Sequence, residues 1–266
     1  SVHDEATAEK LGLRGAPIEG PTHFSQFDPL GVELWGHEWF ERGCISAHFE
    51  NMVIEGEQVQ ASATRLGPRT ARGTAVKSTG EPVLTASLTI GDEPTELGGR
   101  LAAMQAKDHG ALYIVDRLQV GWVSEPCTVS MGFDEHNGNL YPFSLRDKVR
   151  LITEPSPWYV PGDISPWGRA VVPTEMLSVL AHKGGLHLPV RGPSVGLFVD
   201  LEVQRHAPVF VDETYTATHE IVCLGQSKRV ESYWTRSLLH DSSGRHVASL
   251  LLHQGVFKAS YADYPS

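Results

Sequence analysis

The sequence predicts an α+β protein made of two related halves, each an antiparallel sheet wrapped around a central helix. Three segments that recur in the same order predict it. Pro21-Thr22-His23-Phe24-Ser25 is echoed by Pro173-Thr174-Glu175-Met176-Leu177. Met52-Val53-Ile54-Glu55-Gly56-Glu57 is echoed by Pro208-Val209-Phe210-Val211-Asp212-Glu213. Gly80-Glu81-Pro82-Val83-Leu84 and the residues to Leu88 are echoed by Gly244-Arg245-His246-Val247-Ala248 and the residues to Leu252. The spacing between copies grows along the chain, as expected when the loops of a duplicated unit lengthen.

Each half reads the same way. Pro21 and Pro173 stand where a helix starts, because proline's missing N–H has no partner in a first turn anyway. The residues that follow are apolar: Phe24, Phe27, Leu30 and Val32 in one half, Met176, Leu177, Val179 and Leu180 in the other. Both runs read as largely buried helices. Strands come next. Val53-Ile54 leads to Gln58–Thr64, and Val209-Phe210-Val211 leads to Thr214–Ile221, with clear alternation in Thr214–Thr218. Gly67, Gly73, Gly225 and Gly244 punctuate the hairpins. Between the halves, Thr95 to Asp108 reads as a connecting helix. Tyr113-Ile114-Val115 and Leu118-Gln119-Val120 read as strand starts, and Pro155 to Gly168 as an irregular segment. The expected division is 1–94 for the N-terminal repeat, 95–112 for a linker helix and 113–266 for the C-terminal repeat. No leading strand is visible in the first half.

Composition narrows the function. The net charge is −10 with histidines neutral, so the chain has no field to attract nucleic acid or an anionic membrane. No apolar run is long enough to span a bilayer. The polar, acidic stretch from Ser1 to Lys10 does not read as a signal peptide, and a cytoplasmic location is expected. The three cysteines, Cys44, Cys127 and Cys223, are far apart and odd in number. They read as small buried hydrophobes rather than a disulfide scaffold or metal set. His48, His182, His206 and His253 show no metal spacing, and no glycine-rich nucleotide motif is present. No metal and no cofactor are expected.

The N-terminal segment resembles the MaoC-like branch of the hotdog superfamily, which includes R-specific enoyl-CoA hydratases. Asp4, Ala8, Gly12 and Leu13 keep the spacing of the family's D, A, G and F, and Pro17-Ile18 followed by Gly20 resembles its P-I-x-H-G stretch. Ser165-Pro166-Trp167-Gly168 leading to Val171-Val172-Pro173 looks like the matching segment of divergent double-hotdog relatives. The resemblance implies a double hotdog fold and a hydratase or dehydratase lyase. Such an enzyme acts next to a carbonyl by acid–base catalysis, with an acyl-CoA or related small carbonyl compound as substrate. A hotdog acyl-CoA thioesterase and a non-catalytic binding module are the alternatives. Pairing of the halves within the chain implies a monomer with an internal pseudo-dimer, or a further homo-oligomer.

The family's Asp and His dyad is not present as written. Val2 aligns with the His, although His3 fills it if one residue is deleted, and Glu19 stands where another His is usual. The second half has Trp158-Tyr159 and Asp163 but no His. Asp28 lies near the helix acid of the related carrier-protein dehydratases.

A hotdog active site lies where the helix of one half meets the other half. The two repeats place His23 and Glu175 at equivalent positions, a sensible acid–base pair. The alternative is a satisfied core histidine and a first-turn acid favoured by the helix dipole. The amides of Thr22, His23, Thr174 and Glu175 are candidate oxyanion donors, and Gly20 precedes them. Asp4 with His3 is a second candidate pair, with Asp4 as a helix cap as the alternative. Glu19, Tyr159 and Asp163 either line the cleft or are solvated loop residues. Arg65, Arg69, Arg72 and Lys77 form a basic hairpin that either holds coenzyme A phosphates or is solvated surface.

Overall fold

The computed structural model describes residue 6 and residues 15–138, 141–162 and 164–265. Its first long element begins as a 3-10 turn, Gly20–Gln26, and continues as helix α1, Phe27–Trp35. Pro29 accounts for the change of pitch. It has no N–H to reach the Ser25 carbonyl, so the turn before it tightens. Helix α1 stops at Gly36, whose φ of 62° suits glycine. A short helix α2, Glu38–Arg42, follows. Its Trp39 indole packs where Gly31 leaves room, since a Cβ on Gly31 would lie 2.2 Å from the ring.

Strands β1 (Gly43–Phe49), β2 (Val59–Arg65), β3 (Thr70–Lys77) and β4 (Pro82–Ile90) complete the first half. Helix α3, Glu96–Gln105, then crosses to the second half. There β5 (Cys127–Ser130) and helix α4 (Leu145–Leu151) precede helix α5 (Thr174–His182) and strands β6 (Gly196–Arg205), β7 (Thr214–Gln226), β8 (Val230–His240) and β9 (His246–Phe257). Helix α5 is buried from Thr174 through Ala181. It packs against β5, β6 and β8, as α1 packs against β2.

The two half-sheets are fused. The nine strands of the described residues form one antiparallel sheet in the order β2-β3-β4-β1-β6-β9-β8-β7-β5. The seam is the pairing of β1 with β6, from Cys44↔Gln204 to His48↔Asp200. These central strands are not among those the sequence predicts. Their outer face is covered by α3, which blurs the alternation that marks a half-exposed strand. Helix α3 is anchored there by polar contacts: the Leu97 amide donates to Ser46 Oγ and the Glu96 amide to Ser87 Oγ, both at 2.9 Å. Leu97 and Leu101 pack on Val222, Cys223, Trp234 and Leu251.

The internal duplication is visible in hydrogen bonds. The Ile18 amide donates to the Val53 carbonyl, and the Val172 amide to the Val209 carbonyl, both at 2.8 Å. Isolated bridges Pro17↔Ile54 and Val171↔Phe210 flank them. One expectation is corrected. Tyr113-Ile114-Val115 and Leu118-Gln119-Val120 are irregular, and the leading strand of the second half is Cys127–Ser130. The buried Glu231 carboxylate explains the first of these. It accepts the amides of Tyr113, Ile114 and Val115 at 2.8, 2.7 and 3.0 Å, so those groups are not offered to a neighbouring strand. Among the described residues no helix is long and apolar enough to cross a membrane.

Candidate active site

The duplication brings the starts of the two core helices together, with the 3-10 turn Gly20–Gln26 against α5. A buried acid ties them. Asp28, from the first half, accepts from the Trp39 indole at 2.8 Å, the Tyr159 hydroxyl at 2.7 Å and the Thr174 amide at 3.1 Å, and also from the Thr174 hydroxyl. Arg205, fully buried behind it, donates to Thr174 Oγ1 at 2.8 Å and to the Val172 carbonyl at 3.1 Å. A carboxylate at a helix N-terminus satisfies an orphan amide and meets the positive end of the dipole. Asp28 is therefore the cap that the second half's helix takes from the first half.

Beside this tie, His23 and Glu175 line one cavity of about 350 Å³, together with Ile18, Ser25, Gln26 and Lys148. His23 also lines a second cavity of about 590 Å³ with Glu19, Gly20, Phe49, Met52, Tyr141 and Phe198. The first cavity has more polar residues in its wall than the second, which is walled mostly by apolar and aromatic groups. His23 stands at both. Gly20 lets the Phe49 ring pack against the backbone at the wall of the second: a Cβ there would lie 2.8 Å from the ring.

Burial sets the protonation of the pair in opposite directions. It pushes the His23 imidazole down to about 4, with Gln26 pulling the other way. It pushes the Glu175 carboxyl up to about 7 against the Lys148 ammonium, whose Nζ is 3.3 Å from Glu175 Oε2. Ser25 is close enough to lower the Glu175 pKa, yet it completes no hydrogen bond of ordinary geometry with it. Ser25 Oγ, Gln26 Oε1 and Glu175 Oε1 are all buried with no hydrogen-bond partner among the described residues.

The remaining sequence candidates divide. Thr22 lines the smaller cavity and Thr174 is 1% exposed. Their amides, expected as oxyanion donors, are both spent: Thr22 donates to the Glu19 carbonyl at 3.1 Å and Thr174 to Asp28. Tyr159 is a core residue, not a cleft residue, because its hydroxyl is committed to Asp28. Glu19 reaches the larger cavity, where burial, and after it Glu19, raises the Tyr141 phenol. His3, Asp4 and Asp163 lie outside the described residues.

The basic hairpin does not come to the pair. Arg65 donates to the Leu34 carbonyl at 2.6 Å and stacks on Trp35. Arg69 pairs with Glu93, and Lys77 with Glu57 and Glu81 at 3.0 and 2.7 Å. Arg72 is exposed on β3, and neither Arg65, Arg69 nor Arg72 lines either cavity.

Sequence reasoning missed Lys148, Ser25, Gln26 and Tyr141. A signal for Lys148 existed. Ser144-Leu145-Arg146-Asp147 is a capping box, with the Asp147 amide donating to Ser144 Oγ at 3.1 Å and the Ser144 amide to Asp147 Oδ2 at 3.3 Å. It places Lys148 in the first turn of α4.

No family model matches the sequence, and no curated protein matches it. Solved structures do match. A conserved protein from Mycobacterium tuberculosis, described as having a double hotdog fold, is 13% identical with a TM-score of 0.56, over 92% of this chain and 84% of that one. A protein described as a MaoC domain dehydratase, from Chloroflexus aurantiacus, is 14% identical with a TM-score of 0.57, over 94% of this chain and 84% of its own. A MaoC-like dehydratase is 13% identical with a TM-score of 0.54, over 96% and 87%. Together with the duplicated half-sheets and their core helices, these likenesses show that the chain has the double hotdog fold.

Proposed function

We propose that the protein is an acid–base enzyme of the hydratase or dehydratase class, acting on an acyl thioester or a related small carbonyl compound. One observation carries the reading. Two titratable groups at equivalent places of the repeat, His23 and Glu175, open on one cavity with their pKa values driven apart by burial. Pairs of groups displaced in this way mark acid and base roles.

The directions of the shifts assign the roles. Between about pH 4 and 7 the imidazole is neutral and the carboxyl protonated, so His23 is the base and Glu175 the acid. The opposite assignment needs imidazolium and carboxylate together, which these values make rare. In the dehydration direction His23 takes the proton from the carbon next to the carbonyl. That electron pair forms the carbon–carbon double bond, the C–O bond breaks, and the Glu175 proton leaves with the oxygen as water. The enolate-like oxygen that develops meets the positive charge of Lys148. With the Thr22 and Thr174 amides spent, the ammonium takes the role expected of them. The apolar cavity on the far side of His23 suits the acyl or hydrocarbon part of the substrate.

The unpartnered Glu175 Oε1 favours one second reading, a thioesterase in which the ionised carboxyl activates water. The test is turnover of a 3-hydroxyacyl thioester and its enoyl counterpart, with thiol release followed in parallel. Double-bond formation or loss without thiol release, abolished in His23→Ala and Glu175→Gln, supports the hydratase reading. Thiol release dependent on Glu175 replaces it with the thioesterase, and wild-type turnover untouched by either substitution refutes both.

A further inference from the structure

The geometry points to Tyr141, Phe198 and Gln254 as the wall that stops the acyl chain of the substrate, and so as the residues that set its length. The inference rests on the reading above, in which the acyl part lies in the larger cavity beside His23. Its basis is that these three side chains line two cavities at once. One is the cavity of about 590 Å³ that His23 opens on. The other, of about 680 Å³, lies between helix α5 and strands β6, β8 and β9. Tyr141, Phe198 and Gln254 are the described residues that the two have in common. Each space is of the size that holds a small ligand, and the second is used by nothing in the reaction as described.

The wall of the distal cavity defines what fits there. Val179, Leu186, Leu188, Val190 and Leu252 supply hydrocarbon. Polar side chains in the same wall are engaged with the protein. Lys183 Nζ donates to the Ser130 carbonyl at 2.7 Å, His182 Nδ1 to the Ser178 carbonyl at 2.8 Å and Asn137 Nδ2 to the Phe143 carbonyl at 2.9 Å. Such a space takes a hydrocarbon chain, at about fourfold in affinity for each methylene removed from water. The three shared side chains are themselves held. Tyr141 meets the Phe143 ring edge-on, with centroids 5.8 Å apart, and Glu19 lies beside its hydroxyl. Gln254 Oε1 accepts from the Tyr233 hydroxyl at 2.6 Å, and Phe198 packs on the main core. A chain that grows from His23 across the first cavity therefore meets two rings and an amide, with room for more carbon on their other side. Shortening one of the three joins the two spaces.

The test is equilibrium binding to the full chain of the N-acetylcysteamine thioesters of straight-chain acids, from butyrate to dodecanoate in two-carbon steps. Wild-type affinity is expected to rise by about fourfold per methylene and then to stop rising at one length. In Tyr141→Ala the rise is expected to continue for at least one further step of two carbons. Gln254→Ala is expected to do the same and decides the matter if Tyr141→Ala does not fold. Tyr141→Phe keeps the ring and is expected to keep the wild-type limit. A wild-type affinity that climbs through the whole series, a limit that stays in place in both alanine variants, or one that moves in Tyr141→Phe as well overturns the wall, even if the protein turns over thioesters. A limit that moves as expected supports the wall even if no turnover is found, and in that case it is the acid–base reading that fails.

Discussion

Replacing Glu175 by Gln removes a buried group whose pKa burial has raised, and the consequence for stability has a definite sign. In the folded chain the carboxyl titrates near 7 rather than at its ordinary 4.5. Between these values the unfolded chain has released its proton and the folded chain has not. Folding stability is therefore complete below about pH 4.5 and falls as pH rises to about 7. At about 1.4 kcal/mol per tenfold change, the loss is about 3 kcal/mol. His23 does the reverse. Its pKa is lowered from 6.5 to about 4, so its contribution is complete above 6.5 and is lost as pH falls to about 4. In the wild-type protein the two slopes oppose each other across most of this window. Glu175→Gln removes the falling slope alone. Relative to wild type, the variant is expected to gain about 3 kcal/mol between pH 4.5 and 7.5, read from urea midpoints at several pH values. A difference between the two proteins that does not change with pH refutes the buried, proton-retaining carboxyl.

Two further outcomes follow from neighbouring residues. Asp28→Asn leaves Arg205 buried without its counter-charge and turns an NH2 either toward the Trp39 indole or toward the Tyr159 hydroxyl and Thr174 amide, where donors already point. It is expected to cost about 3–5 kcal/mol and to lower Tm by roughly 10 °C in a chain of this size, measured by calorimetry. A loss below about 1 kcal/mol contradicts the capping role. Lys148→Met removes the cation that holds the Glu175 pKa down, so the ionisation of that carboxyl moves further above 7. The pH dependence of kcat/KM reads it, and a limb that stays in place or moves down contradicts the ion pair.

The fold was legible where sequence signals were local. Pro21 and Pro173 mark helix starts, and the alternation of Thr214–Thr218 marks a strand. The repeat also gives His23 and Glu175 matching positions in the sequence, and both line one cavity. What was not legible depended on contacts between distant residues. β1 and β6 are covered on their outer face by α3, so their patterns do not alternate cleanly. Tyr113-Ile114-Val115 has the composition of a strand, but its amides go to Glu231. Arg65 and Arg69 look like an anion site in sequence, yet both are committed to nearby carbonyl and carboxylate groups. Asp28 gave no sign that its partner was the helix of the other half. Ser25 and Gln26 sit one turn of chain from His23 and gain meaning only from the cavity they share with Glu175.

The pH profile of kcat/KM for a 3-hydroxyacyl thioester, measured as double-bond formation, tests the paired roles of His23 and Glu175 most directly. The expected profile is a bell with an acid limb near pH 4 from the imidazole and an alkaline limb near pH 7 from the carboxyl, the alkaline limb vanishing in Glu175→Gln along with most of the rate. A rate that climbs through pH 7 to a plateau, or limbs unmoved by substitution of either residue, contradicts it.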